Sequence, residues 1–217
     1  MRFLSFLSLA TSIAPLSCAG EGAANGSPSP EARAIAFLEG EVPDWPVRNK
    51  CFSCHNNGDA ARALYAARRR SLTSDPRALD STARWLARPD EWKHNDPNEE
   101  FGDRKLAAIQ FAHALVSAVE AGALERGAAL LRAAELVRDQ QEPDGSWKVD
   151  ADGLAGSPIT YGRTLATGVS RNVLAAASPI AFAEPIRRAD AWLRAQRPRG
   201  VLDAAAVLFA LGSELGP

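Results

Sequence analysis

Methionine is all but missing from these 217 residues, where Met1 stands alone. Cysteine and histidine are nearly as scarce, with three of each. So few thiols exclude a scaffold held together by disulfides. An excess of one charge sign is also lacking, since 25 Lys and Arg face 26 Asp and Glu for a net charge of −1. That balance leaves no electrostatic footprint for nucleic acid or for an anionic membrane surface. No alternating apolar and polar run is long enough to predict a strand. What is present, 46% hydrophobic and 24% charged residues, suits a globular body able to bury a core.

Two of the three cysteines fall in the stretch Cys51-Phe-Ser-Cys54-His55. The pattern C-x-x-C-H reads as a covalent c-type haem site. Its spacing follows from chemistry: two thiols add to the two vinyl groups along one haem edge, and the adjacent imidazole ligates the iron. Cys51, Cys54 and His55 are therefore the expected haem c binding residues, with His55 as the proximal iron ligand. Two other chemistries share the pair. A redox C-x-x-C belongs to a βαβ setting that this stretch lacks. A structural zinc site needs four ligands, and only His94, His113 and carboxylates remain to complete one.

The start of the chain points the same way. Met1-Arg2 followed by the largely apolar residues 3–16 has the form of a secretory signal, too short for an ordinary transmembrane helix. Two readings of its end stand. Ser17-Cys18-Ala19 fits small-x-small cleavage, whereas Leu16-Ser17-Cys18 resembles the end of a bacterial lipoprotein box, with Pro15 where that box prefers an aliphatic residue. In the second reading Cys18 is lipidated and anchors the protein to a membrane. Both readings place the protein in the periplasm or another extracytoplasmic compartment, where bacteria attach haem covalently. Residues 1–19 are then the signal peptide, 20–30 a flexible linker, 31–74 the haem-binding segment and 75–217 a helical body.

Breaks rich in Pro, Gly and Asp divide the chain into helices, predicting an all-α fold. Ser29-Pro30-Glu31 caps a helix reaching residue 40, and residues 42–46, with two prolines, form an irregular loop into the motif. Asn56-Asn57-Gly58 predicts a turn with positive φ, followed by a helix over 59–71. Asp75-Pro76 starts a helix to residue 87. A polar loop over 88–103 holds Trp92, His94 and Asn95. Further helices are expected over 104–121, 124–140, 160–176, 182–196 and 202–211.

Gln141-Glu-Pro-Asp-Gly145-Ser-Trp147 follows one of these helices. It resembles the Q-x-x-x-G-x-W repeat of the terpenoid cyclase and protein prenyltransferase superfamily, whose α/α toroid stacks helical hairpins in a ring. In such a staple the glutamine bonds the next backbone turn while stacking on the indole, and glycine permits a sharp reversal. Gln196-Arg-Pro-Arg-Gly200-Val-Leu202 has the same frame with leucine for tryptophan, and Trp85-Leu86-Ala-Arg-Pro89 is a more eroded unit. The resemblance covers roughly residues 78–217 and implies an open or incomplete toroid. It is shared with exported bacterial proteins that join a C-x-x-C-H segment to squalene-cyclase-like repeats. The acidic D-x-D-D motif of the cyclases is absent, Asp150-Ala-Asp152-Gly153 being the nearest approach. No cysteine follows Cys54 to hold the prenyltransferase zinc. No catalytic residue and no cyclase activity are expected.

The sixth position of the iron would decide the role. Met1 leaves with the signal peptide, so methionine ligation is excluded. His94, in the loop, and His113, on an amphipathic helix, are the candidate distal iron ligands. Their ordinary roles would be an exposed loop imidazole and a satisfied core histidine. Lys93, Lys105 or an open position are the alternatives. Arg62, Arg68, Arg69 and Arg70 suit haem propionates or a solvated helix face. Trp45 and Tyr65 suit the porphyrin faces or the core. Asp150 and Asp152 lack the rest of a calcium loop and read as a surface turn. A six-coordinate iron implies an electron-transfer protein that docks a redox partner protein. An open iron implies a small-ligand sensor, and no haem would leave an interaction scaffold.

Overall fold

The computed structural model describes residues 27–73, 75–95, 104–149 and 162–212. Every regular element among them is helical and none is a strand, which makes the fold all-α. Cys18, the rest of the signal and Asp150 and Asp152 lie outside the described residues.

Helix α1 (Pro30–Asn49) opens where Ser29 Oγ accepts the Ala32 N–H at 3.1 Å, with Pro30 in the first turn. It does not stop at residue 40. The loop expected over 42–46 is helical instead, with Pro43 and Pro46 inside the helix. Each proline removes one N–H from the ladder. At Pro46 that would strand the carbonyl of Val42, a fully buried residue, but Asn57 Nδ2 donates to it at 3.0 Å. The helix ends on Lys50, at φ 59°, whose N–H returns to Pro46 O.

A π-helix (Cys54–Ala60) leads directly into α2 (Ala61–Arg69). The expected positive φ at Gly58 is not observed; among the described glycines only Gly122 and Gly145 have it. Gly58 is needed for closeness, because a Cβ there would sit 3.2 Å from Gln110 Cβ. The next helix also starts later than expected. Asp75 Oδ1 accepts the Arg77 N–H at 2.8 Å and holds a turn, so α3 (Asp80–Leu86) begins at Asp80. A 3-10 helix (Pro89–His94) fills the start of the expected loop, and residues 96–103 lie outside the described residues.

The remaining helices are α4 (Arg104–Glu120), α5 (Ala128–Arg138), α6 (Arg163–Ala177), α7 (Ala183–Ala195) and α8 (Val201–Leu211). Helix α4 is buried nearly all round, from Ile109 through Val116 without a break, as a central helix must be. It packs against the π-helix, α2, α3, α5 and α6. The even-numbered helices follow one another, α2 on α4, α4 on α6 and α6 on α8. Helix α5 bridges α4 and α6, and α7 bridges α6 and α8. Asp59 bonds Gln110 and Arg69 pairs with Glu120, both across 51 residues, so the π-helix with α2 runs beside α4 in one direction and constant register.

The turn after α5 is stitched on three sides. Gln141 Nε2 donates to Gly145 O and to Pro185 O, both at 2.9 Å, and the Arg188 guanidinium donates to Gln141 Oε1. Trp147 is 1% exposed; its indole donates to Val137 O at 2.6 Å, and its backbone N–H to Thr167 Oγ1 at 3.0 Å. The frame at 196–202 does not repeat this. Gln196 donates back to Trp192 O in its own helix, Gly200 is extended, and Leu202 is 64% exposed. Leucine has no side-chain N–H to return to the preceding helix, so the indole bond that closes the first turn has no counterpart here. Around Trp85 the arrangement differs again, with the Trp92 indole donating to Trp85 O at 3.2 Å.

Candidate functional site

Cys51 lies in the short link after α1, and Cys54 and His55 open the π-helix. All three are half-buried, whereas Asn57 and Gly58, just beyond, are buried. Cys54 packs against the edge of the core, and the two residues after Asn56 are sealed within it.

The two residues between the cysteines are held by every backbone polar group they have. Phe52 N–H donates to Asn95 Oδ1 at 2.8 Å, and Asn95 Nδ2 donates to Phe52 O at 2.5 Å. Ser53 N–H donates to Asn57 Oδ1 at 3.0 Å, and Ser53 O accepts the N–H groups of Asn57 and Gly58 at 2.8 and 3.2 Å. Ser53 Oγ caps the π-helix, accepting from the N–H groups of His55 and Asn56 at 3.0 and 3.3 Å. Asn57 Nδ2 also bonds Thr82 Oγ1 at 2.8 Å, which fixes the segment to α3 as well as α1. A backbone satisfied this completely has little freedom to change the spacing of its side chains.

Below the segment lies an aromatic floor. Phe52 stacks on Trp85 with centroids 4.6 Å apart and planes at 5°. Phe111 meets Trp85 edge-on at 5.8 Å and Trp92 at 5.6 Å. Such contacts contribute about 0.5–1.5 kcal/mol each beyond burial.

The two candidate distal histidines lie in different surroundings. His94 is exposed at the end of the 3-10 helix, next to Asn95. His113 is 9% exposed on α4, with its ring 6.0 Å from Phe209 and its Nδ1 buried without a partner. Burial, reinforced by the Arg62 guanidinium, lowers its imidazole to about 3. It is thus a neutral core histidine near pH 7. Lys93 is exposed, and Lys105 lies 3.8 Å from Glu142.

Arg62 is half-buried and bonds Asp59 Oδ1 at 3.0 Å, while Gln110 Nε2 bonds Asp59 Oδ2 at 2.5 Å. Arg69 pairs with Glu120, and Arg68 and Arg70 are exposed. Tyr65 is fully buried core, which pushes its phenol up; Trp45 is half-buried with its indole nitrogen shielded and without a partner. Among the described residues no three His, Cys, Asp or Glu side chains converge as a metal cage. Sequence reasoning missed the anchoring roles of Asn57 and Asn95, whose partners lie up to 43 residues away and leave no periodic trace.

Comparison of the chain with protein-family models, curated proteins and solved structures finds no match.

Proposed function

We propose that this is an exported monohaem c-type protein that transfers electrons in an extracytoplasmic complex. Cys51 and Cys54 would hold the haem and His55 would be its proximal iron ligand. The observation that carries the reading is the motif itself, two cysteines three apart and an adjacent histidine, on a backbone whose Phe52 and Ser53 groups are all bonded. The donor set fits: each thiol adds its sulfur and its hydrogen across one vinyl double bond, so attachment consumes no oxidant, and a neutral imidazole is a good iron donor. Haem bound there would supply one-electron exchange at its iron.

The protein's own residues do the rest. Asn95 and Asn57 hold the backbone between the two cysteines, Ser53 Oγ accepts the amide N–H of His55, and the Phe52–Trp85 stack ties the segment to α3. Half-exposure of the three residues favours electron exchange with a docked redox partner over a buried sensor pocket. The chain of α2, α4, α6 and α8, with α5 and α7 each bridging two of them, supports an open arc of an α/α toroid as the docking body.

The test is covalent haem content, by alkaline pyridine spectrum, on protein exported from a host that matures c-type haem. Wild type should carry one haem that survives acid–acetone extraction, and a Cys51→Ala, Cys54→Ala variant none. Covalent haem in that variant, or none in wild type while a control cytochrome matures, would reject the reading.

A further inference from the structure

We infer that His94, and not His113, is the second axial ligand of the iron held by His55. The inference rests on the haem reading above and uses the placement of the two histidines relative to the motif.

The Asn95 side chain grips Phe52, the residue after the first haem cysteine, through both of its polar groups, at 2.8 and 2.5 Å. His94 precedes Asn95 directly, about 3.8 Å away along the chain. The 3-10 helix that carries it is itself anchored, since Trp92 is 7% exposed and its indole donates to Trp85 O. Trp85 in turn stacks on Phe52. His94 is therefore tied to the motif by two routes, one polar and one aromatic. It is exposed, and Cys51, Cys54 and His55 are half-exposed. An exposed imidazole on a segment clamped to the motif can turn toward the iron of a haem bonded to those cysteines.

His113 has no such access. The constant register of α2 and α4, 51 residues, sets His113 beside Arg62. Arg62 lies in α2, beyond the π-helix that carries His55. The His113 ring is 9% exposed and sits against Phe209 of α8, so a porphyrin reaching it would have to displace that side chain.

The experiment is low-temperature electron paramagnetic resonance of the oxidised holoprotein, with carbon monoxide binding to the reduced form. Wild type, His94→Ala and His113→Gln are compared, each with its haem content measured by pyridine spectrum and its fold by far-ultraviolet circular dichroism. All three should hold the same covalent haem. Wild type and His113→Gln should be low-spin and refuse carbon monoxide. His94→Ala should lose the low-spin signal, bind carbon monoxide, and regain the low-spin signal when imidazole is added. A low-spin His94→Ala protein, or a wild type that is high-spin with full covalent haem, would overturn the assignment while leaving the haem reading intact. A wild type without covalent haem would overturn both. If His113→Gln fails to fold, the His94→Ala result and its imidazole rescue decide alone.

Discussion

Asn57 Nδ2 donates at 3.0 Å to the carbonyl of Val42, the group that Pro46 cannot serve within the helix. Both residues are fully buried. Pro46, which would ordinarily end α1, is thus made compatible with it by a side chain from the segment that follows Cys54. The same amide fixes Ser53 and Thr82, so helix integrity and motif geometry share one residue.

Replacing Asn57 by Leu should therefore cost about 2 kcal/mol or more, since the buried Val42 O and Thr82 Oγ1 lose a partner at about 1–3 kcal/mol each and the part-buried Ser53 N–H loses one as well. Urea denaturation of the apoprotein reads the loss. Adding Pro46→Ala should restore about 1 kcal/mol, because an alanine at that position has the backbone N–H that proline lacks and can donate it to Val42 O. A double variant no more stable than the single one would show that the Val42 carbonyl does not need Asn57.

How much of this was legible depends on range. The pattern from Cys51 to His55 stands out in the sequence because it occupies five consecutive residues. Helices α6, α7 and α8 match their expected spans closely, and Ser29 caps as expected, because periodicity and caps are local. The continuation of α1 through Pro43 and Pro46 was not legible, since the replacement donor comes 15 residues later. The Asn95 clamp on Phe52 spans 43 residues and was equally hidden. The second glutamine frame misled for a different reason. Its pattern kept Gln196 and Gly200 but not the indole N–H through which Trp147 bonds the preceding helix.

Gly145→Ala should be severe. The residue sits at φ +94°, and a Cβ would fall 2.5 Å from Arg188 O, a backbone atom of α7 that cannot swing aside. Backbone strain alone costs about 1–3 kcal/mol, and the clash must displace α7 or the turn. Gly122→Ala is the control, because at φ +67° it has the strain but nothing within 4 Å of its Cβ. Thermal unfolding should show a loss of about 1 kcal/mol for Gly122→Ala and clearly more for Gly145→Ala. Equal losses would mean that the approach of α7 imposes no constraint.

Arg171 and Asp190 join α6 to α7 by a pair whose side chains are only 11% and 15% exposed, at 2.8 Å. Removing one partner of a shielded pair typically costs about 3–5 kcal/mol, whereas replacing both by apolar residues is often neutral. Asp190→Ala should destabilise in that range, and Arg171→Met with Asp190→Leu should recover most of it. Chemical denaturation of the three variants checks the order. A double variant as unstable as Asp190→Ala would assign the loss to packing instead of charge.

His113 should make the protein acid-sensitive in a defined window. Its folded value of about 3 lies below the 6.5 of an unperturbed histidine, mainly because the ring is buried. Between those values the unfolded chain binds a proton that the folded one excludes, so stability falls as pH falls. The slope from this one group is about 1.4 kcal/mol per pH unit. It is absent above about pH 7, where neither state is protonated, and it fades below about pH 3. His113→Gln removes the titrating group while keeping polar bulk. Measured from pH 6 to pH 4, the stability of wild type should fall more steeply than that of the variant by this amount. Parallel curves would mean that the imidazole accepts its proton in the folded protein, and that the Phe209 ring shields His113 less than their contact implies.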